Sequence, residues 1–162
     1  MIKNKNFLTI SIVNYNSEEN LFACLYSINR LVSGIEKIYV VDNSPRDETK
    51  AKINQITSKV IYLPQKINIG FGAAHNIVIK KLESQYHLII NPDCVITQNL
   101  SDLILFMKDK TIVCGVPEIH NKEKKELSTS KLPLLGDWII VFSWIGNLRI
   151  FRNYKENFWY KN

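Results

Sequence analysis

Tyr86-His87-Leu88-Ile89-Ile90-Asn91-Pro92-Asp93 is a short apolar run that breaks at a proline and ends on a carboxylate. A run of this length, bounded by turn residues, reads as a buried strand. An acid at the carboxyl edge of such a strand is where an open α/β sheet places a ligand site. The pattern recurs upstream. Residues 7–13 form an apolar strand followed by Asn14-Tyr15-Asn16, residues 38–41 a second stopped by Asp42-Asn43-Ser44-Pro45, and residues 60–63 a third followed by a loop to Gly72. Between them lie helical stripes. Ser17 reads as an N-cap with Glu18 and Glu19 in the first turn, and Leu21, Cys24, Leu25, Ile28 and Leu31 recur on one face until Ser33-Gly34. A polar helix is expected over 47–56, and another over 73–82 with Ala74, Ile77, Val78 and Leu82 inward. Leu100, Leu103, Ile104 and Met107 mark a further helix, and residues 111–114 a fifth strand. Strands alternating with helices predict an α/β fold, a mostly parallel sheet flanked by helices with right-handed crossovers.

Length and composition agree with a globular chain. The 162 residues are 46% hydrophobic and 22% charged, which excludes global disorder. Cys24, Cys94 and Cys114 lie far apart with no CxxC pair, so zinc or dithiol chemistry is not indicated. Each sits in an apolar stretch and is expected as a buried, reduced thiol, which favours a reducing, cytoplasmic location. The run 7–13 is too short and too alternating for a signal peptide, and no run reaches the roughly 20 apolar residues of a spanning helix. The formal charge of +6 is uneven: residues 1–118 carry +2 and residues 119–162 carry +4. Residues 121–130 read as an exposed polar loop. The apolar segment 132–146, with Trp138 and Trp144, leaves two readings: core or partner packing, or peripheral contact at the inner face of a membrane. Nucleic acid is not an expected partner, because the tail's aromatics lie in an apolar run rather than interleaved with Lys or Arg.

The polar clusters at the strand ends can be read as chemistry. Asp42 can accept an N–H from a pyrimidine base, or it can serve only as a turn residue before Ser44-Pro45. Tyr15 offers a ring for stacking. Asn68-Ile69-Gly70-Phe71-Gly72-Ala73-Ala74-His75-Asn76 leads into a helix N-terminus, which favours anions, although its glycines also suit a sharp turn. It is neither a Walker loop nor GxGxxG. His75 reads most simply as a surface or packing residue. Asp93 is the best metal-ligand candidate, since a hard divalent cation needs only one or two carboxylates when a substrate brings phosphates. Its alternative is a cap or turn role after Pro92.

Ile12-Val13-Asn14-Tyr15-Asn16, Val40-Val41-Asp42-Asn43-Ser44, Asn68-Ile69-Gly70-Phe71-Gly72 through Asn76, and Asn91-Pro92-Asp93 together resemble the family-2 inverting glycosyltransferases with a GT-A fold. The Gly-Phe-Gly and Asn-Pro-Asp variants look most like the bacterial rhamnosyltransferase branch that builds O-antigen and other surface polysaccharides. The resemblance covers about residues 7–118, and the order and spacing of four motifs make it specific. It implies a Rossmann-like nucleotide-binding half. Tyr15 and Asp42 would hold the base of a dTDP- or UDP-sugar, with dTDP-rhamnose the first expectation. Asn68, Gly70, Gly72 and Asn76 would line the nucleotide and sugar pocket. Asn91 would face the ribose, and Asp93 would bind the Mg²⁺ or Mn²⁺ that bridges the diphosphate. A lipid-linked saccharide is the expected acceptor.

The family also implies a general base in an acidic motif of the second half. Asp102, Asp109, Glu118, Glu123, Glu126, Asp137 and Glu156 follow Asp93, and none sits in such a motif. The catalytic residue is therefore unassigned. The chain looks like the amino-terminal half of a longer transferase. Residues 1–118 form the expected nucleotide-sugar-binding domain, and residues 119–162 a basic, apolar-interrupted segment of an incomplete acceptor side. The alternative function is a non-catalytic partner- or membrane-docking module.

Overall fold

The computed structural model describes residues 7–121 and 124–126. They form two compact units that divide between Asp102 and Leu103. The first unit contains strands β1 (Leu8–Asn14), β2 (Ile35–Asp42), β3 (Val60–Pro64) and β4 (Tyr86–Ile89). They form one four-stranded sheet in the order β3-β2-β1-β4, parallel at every pairing. Helices α1 (Glu18–Leu31), α2 (Asp47–Ile56) and α3 (Phe71–Ile79) connect the strands. The expected α/β architecture is present.

Alternation along the strands assigns the two faces, because successive side chains of a strand point to opposite sides. Leu8, Ile10 and Ile12 of β1 and Ile38 and Val40 of β2 pack against Leu21, Cys24, Leu25 and Ile28 of α1 and Ile53 and Ile56 of α2. The other face turns Val13, Tyr39 and Val41 toward Ala74 and Val78 of α3. Each fully buried Ile, Leu or Val contributes about 1.5–3 kcal/mol of transfer free energy. The large cluster under α1 and α2 is therefore the main source of stability, and the smaller one holds α3. β1 is buried along its whole length, so its carboxyl end is a fixed platform.

Several expectations are corrected. Residues 111–114 are not a strand. The Thr111 N–H and hydroxyl both donate to Asp109 Oδ1, at 2.9 and 2.7 Å, and the Ile112 N–H donates to the Asp109 carbonyl. The donors a sheet ladder would need are spent on a local turn, and Val113 is 93% exposed. α3 begins at Phe71, two residues before the expected start, and ends at Ile79. Only Cys24 is buried; Cys94 is half-buried and Cys114 exposed. Part of the expected polar loop is an antiparallel pair, β5 (Ile119–Asn121) and β6 (Lys124–Glu126), in the second unit. Helix α4 spans Ser101–Phe106, and Asn99 Oδ1 accepts from the Ser101 N–H and hydroxyl at its start. Among the described residues no helix is long and apolar enough to cross a membrane. The apolar segment 132–146 with Trp138 and Trp144 lies outside the described residues.

Candidate functional site

Three chain segments leave the sheet at its carboxyl edge and meet around an open cleft. The first follows β1. Asn14 is buried, Tyr15 is 55% exposed, and Asn16 turns the chain with a φ of 49°, a left-handed conformation that asparagine tolerates better than most residues. The Asn16 N–H donates to Ser44 Oγ at 2.7 Å, tying this turn to the end of β2. Ser17 then caps α1 by position but makes no side-chain cap hydrogen bond.

The second segment is the loop into α3. The Gly70 N–H donates to Asn68 Oδ1 at 2.9 Å, and the Ile69 N–H reaches Asn43 Oδ1 at 3.5 Å. Gly70 has φ 81° and ψ 166°, a region open essentially only to glycine. That conformation swings the chain into α3 and leaves Phe71 54% exposed.

The third segment is Asn91-Pro92-Asp93. The Ile90 N–H donates to the Ser11 carbonyl, extending the β4 pairing by one bond, and the Cys94 N–H closes a turn on the Asn91 carbonyl. α1 fixes this turn from below. Cys24 Sγ donates to the Asn91 carbonyl at 3.8 Å, and Ser27 Oγ accepts the Ile96 N–H at 3.0 Å. Burial, with Cys94 and Asp93 nearby, pushes the Cys24 thiol up to about 12, so it stays an inert thiol near neutral pH.

The cleft has a volume of about 420 Å³. It brings together Tyr15, Asn68, Gly70, Asn91 and Asp93 among the sequence-predicted residues. Gly72 and Asn76 lie in the first turns of α3 and are exposed, but they are not part of its lining. Asp42 lies beneath the cleft and is fully buried. Its Oδ1 accepts from Asn14 Nδ2 and from the Ser44 N–H, each at 3.0 Å, and its Oδ2 accepts from the Tyr62 hydroxyl at 2.6 Å. Burial and this carboxylate push the Tyr62 phenol upward. Ser17, Asn20 and Phe71 also line the cleft, and sequence reasoning had given them no site role. Phe71 carried a signal, because a large aromatic between two glycines has little neighbouring side chain to bury it.

The lining is chemically one-sided. It offers two exposed aromatic rings, Tyr15 and Phe71, the side chains of Asn20, Asn43, Asn68 and Asn91, and one acid, Asp93; among the described residues no Lys or Arg lines it. Such a site can sandwich or stack a flat ring and hydrogen-bond neutral polar groups. These described residues do not neutralise a polyanion by themselves. A hard divalent cation fits here on those grounds: one exposed carboxylate suffices when the ligand supplies phosphate oxygens and water completes the shell. Among the described residues no group of three His, Cys, Asp or Glu side chains forms a closed metal cage, so a cation would depend on the ligand's own oxygens.

The sequence model described as glycosyl transferase family 2 matches residues 9–161. A teichoic acid poly(glycerol phosphate) polymerase from Staphylococcus epidermidis is 26% identical over 92 residues, covering 54% of this chain and 13% of that protein. Among solved structures, residues 1–349 of S. aureus TarS in complex with UDP-GlcNAc superimpose with a TM-score of 0.57 at 21% identity, covering 83% of this chain and 42% of that one. The mannosyltransferase PcManGT from Pyrobaculum calidifontis, solved with GDP-Man and Mn²⁺, gives 0.58 at 16% identity, covering 65% and 33%. The chain thus spans less than half the length of each of these proteins.

Proposed function

Because the chain belongs to glycosyl transferase family 2, we propose that its cleft binds the nucleotide diphosphate of a sugar donor, with Asp93 holding a Mg²⁺ or Mn²⁺ against the diphosphate. The observation that carries this is the cleft's described lining: stacking rings and amides for a nucleoside, one carboxylate, and, among the described residues, no basic side chain to meet the phosphates. Tyr15 stacks on the base. Asn91 faces the ribose. Asn68 and Gly70 line the nucleotide and sugar pocket, and Gly72 and Asn76 complete it as the sugar extends along α3. Asp42 is the base acceptor of this reading, through Oδ2; because it is fully buried beneath the cleft and bonded there to the Tyr62 hydroxyl, that contact requires Asp42 to become accessible from the cleft.

When bound, the cation would stabilise the negative charge of the departing diphosphate. In an inverting transfer the acceptor hydroxyl attacks the anomeric carbon opposite that leaving group and loses its proton to a general base. Asp102, Asp109 and Glu118, the acids after Asp93 whose side chains are described, are exposed, and none is assigned as that base. The chain's own contribution is to hold the donor, orient it and exclude water from one side of it.

The donor class is a pyrimidine nucleotide sugar, dTDP- or UDP-linked, and the product a bacterial surface polysaccharide. Support comes from the relatives' polymers and ligands: a teichoic acid polymer for one, UDP-GlcNAc for another. Thermal melting with Mn²⁺ and each of UDP, dTDP and GDP tests it. UDP or dTDP raising the melting temperature more than GDP is the expected result. A shift with GDP alone would overturn the pyrimidine assignment, and no shift with any of the three would overturn the site.

A further inference from the structure

Beneath α3, on the face of the sheet that carries the smaller core cluster, five polar side chains form a line. The Ser84 hydroxyl contacts the Tyr86 carbonyl at 2.9 Å and Thr9 Oγ1 at 2.7 Å. Thr9 Oγ1 lies 2.8 Å from His87 Nδ1, His87 Nε2 lies 2.8 Å from Ser11 Oγ, and Ser11 Oγ lies 2.8 Å from His75 Nδ1. Thr9, Ser11 and His75 are all more than nine-tenths buried. The line runs from β4 through β1 to α3.

Proton counting gives this line a direction. A carbonyl only accepts, so the single Ser84 proton goes to Tyr86. Thr9 must then donate to Ser84 and accept from His87, whose Nδ1 carries the proton. His87 Nε2 is left as an acceptor and takes the Ser11 proton, and Ser11 accepts from His75 Nδ1–H. The partner of one ring nitrogen decides the state of the other. His75 Nε2 is therefore a bare lone pair, and it is buried with no hydrogen-bond partner among the described residues. The His75 ring also meets the ring of Phe71 edge-on, with centroids 4.4 Å apart at 72°.

We propose that His75 is a positioning residue for the cleft: held as the Nδ1–H tautomer at the end of this one-directional chain, it fixes α3 on the sheet so that Gly70 and Phe71 stand in the cleft wall. Charging either ring breaks the line. A proton on His75 Nε2 places a buried N–H where the described residues offer no acceptor. A proton on His87 Nε2 faces Ser11 Oγ with a second donor and leaves the Ser11 proton without an acceptor. Each outcome strands a buried polar group, which is costly.

The groups facing the rings reinforce this. Burial lowers the His75 value, and burial first, then the neighbouring His75, lowers that of His87 against a smaller opposing contact from Thr9. Among the described residues no carboxylate offsets it; β1 contributes Thr9 and Ser11, β4 contributes His87, and β2 places Tyr39 and the apolar Val41 on the same face of the sheet. With folded values below the ordinary 6.5, the stability the line provides is fully present above pH 6.5 and is lost as the pH falls below it.

The inference rests on the nucleotide reading only for the meaning of the cleft; the test does not. Long-range ¹⁵N–¹H correlation spectra of the whole chain report each ring's tautomer, and the backbone amides of Gly70 and Phe71 report the cleft wall. At pH 7.5 both His75 and His87 are expected as Nδ1–H. On acidification the Gly70 and Phe71 amides are expected to shift with the His75 ring, at a midpoint below 6.5. In His75→Asn, whose amide N–H₂ can still donate to Ser11, that amide transition is expected to disappear. An Nε2–H tautomer at either ring, a His75 midpoint at or above 6.5, or amides indifferent to the ring would overturn the proposal. The wild-type titration decides it even if the variant does not fold. Failure of every nucleotide to bind would overturn the function and leave these spectra unchanged.

Discussion

Asp42 shows how a single side chain can carry two readings that only its neighbours resolve. From the sequence it is a turn acid or a base acceptor. In the structure it also anchors the strand ends, through Asn14, Ser44 and Tyr62. Tyr62 could not be paired with it by spacing along the chain, because the contact crosses from β2 to β3 and depends on a register of Val40 opposite Tyr62. Removing one hydrogen bond to a charged group costs about 1.5–3 kcal/mol. Tyr62→Phe should lose about that much in urea unfolding. Asp42→Asn should lose at least as much, since it turns an N–H₂ toward a donor. Gly70→Ala should cost about 1–3 kcal/mol from backbone strain alone, because a Cβ there meets nothing within 4 Å. Its melting curve should shift downward, and nucleotide affinity should fall further if the loop changes path.

At the scale of elements, legibility follows burial. β1 and β2 were readable because runs buried on both faces leave near-continuous apolar sequence. Leu25→Ala, at a fully buried position of α1, should cost about 2–5 kcal/mol in equilibrium unfolding. Residues 111–114 have the composition of a strand but not its hydrogen-bond partners, and Asp109 captures the first donors. Composition reports how well a residue fits a pleated, half-buried surface; it does not supply a sheet edge. Thr9 and Ser11 were legible as the polar half of an alternation and not as a relay, because His75 and His87 reach them from elements more than 60 residues away in the chain. His75 read by sequence as a surface or packing residue; it is buried, and it also ends the hydrogen-bond line.

For the molecule as a whole, the sheet's carboxyl edge was legible from four polar clusters, and the cleft found there gathers residues from three of them directly, with Asn43 from the fourth. What sequence could not give was the cleft's charge. The chain is basic overall at +6, but among the described residues no basic side chain lines the cleft, so net charge does not say how that part of the cleft meets phosphates. That contrast makes metal dependence the central claim. Asp93 is exposed, so Asp93→Ala should leave the melting temperature without ligand nearly unchanged. Calorimetric titration of the chain with UDP and with dTDP, in Mn²⁺ and then in EDTA, for wild type and Asp93→Ala, tests the claim most directly. The account predicts binding by the wild type in Mn²⁺, weakened at least about tenfold, or about 1.4 kcal/mol, by EDTA and equally by Asp93→Ala. Equal affinity in Mn²⁺ for wild type and variant would contradict it.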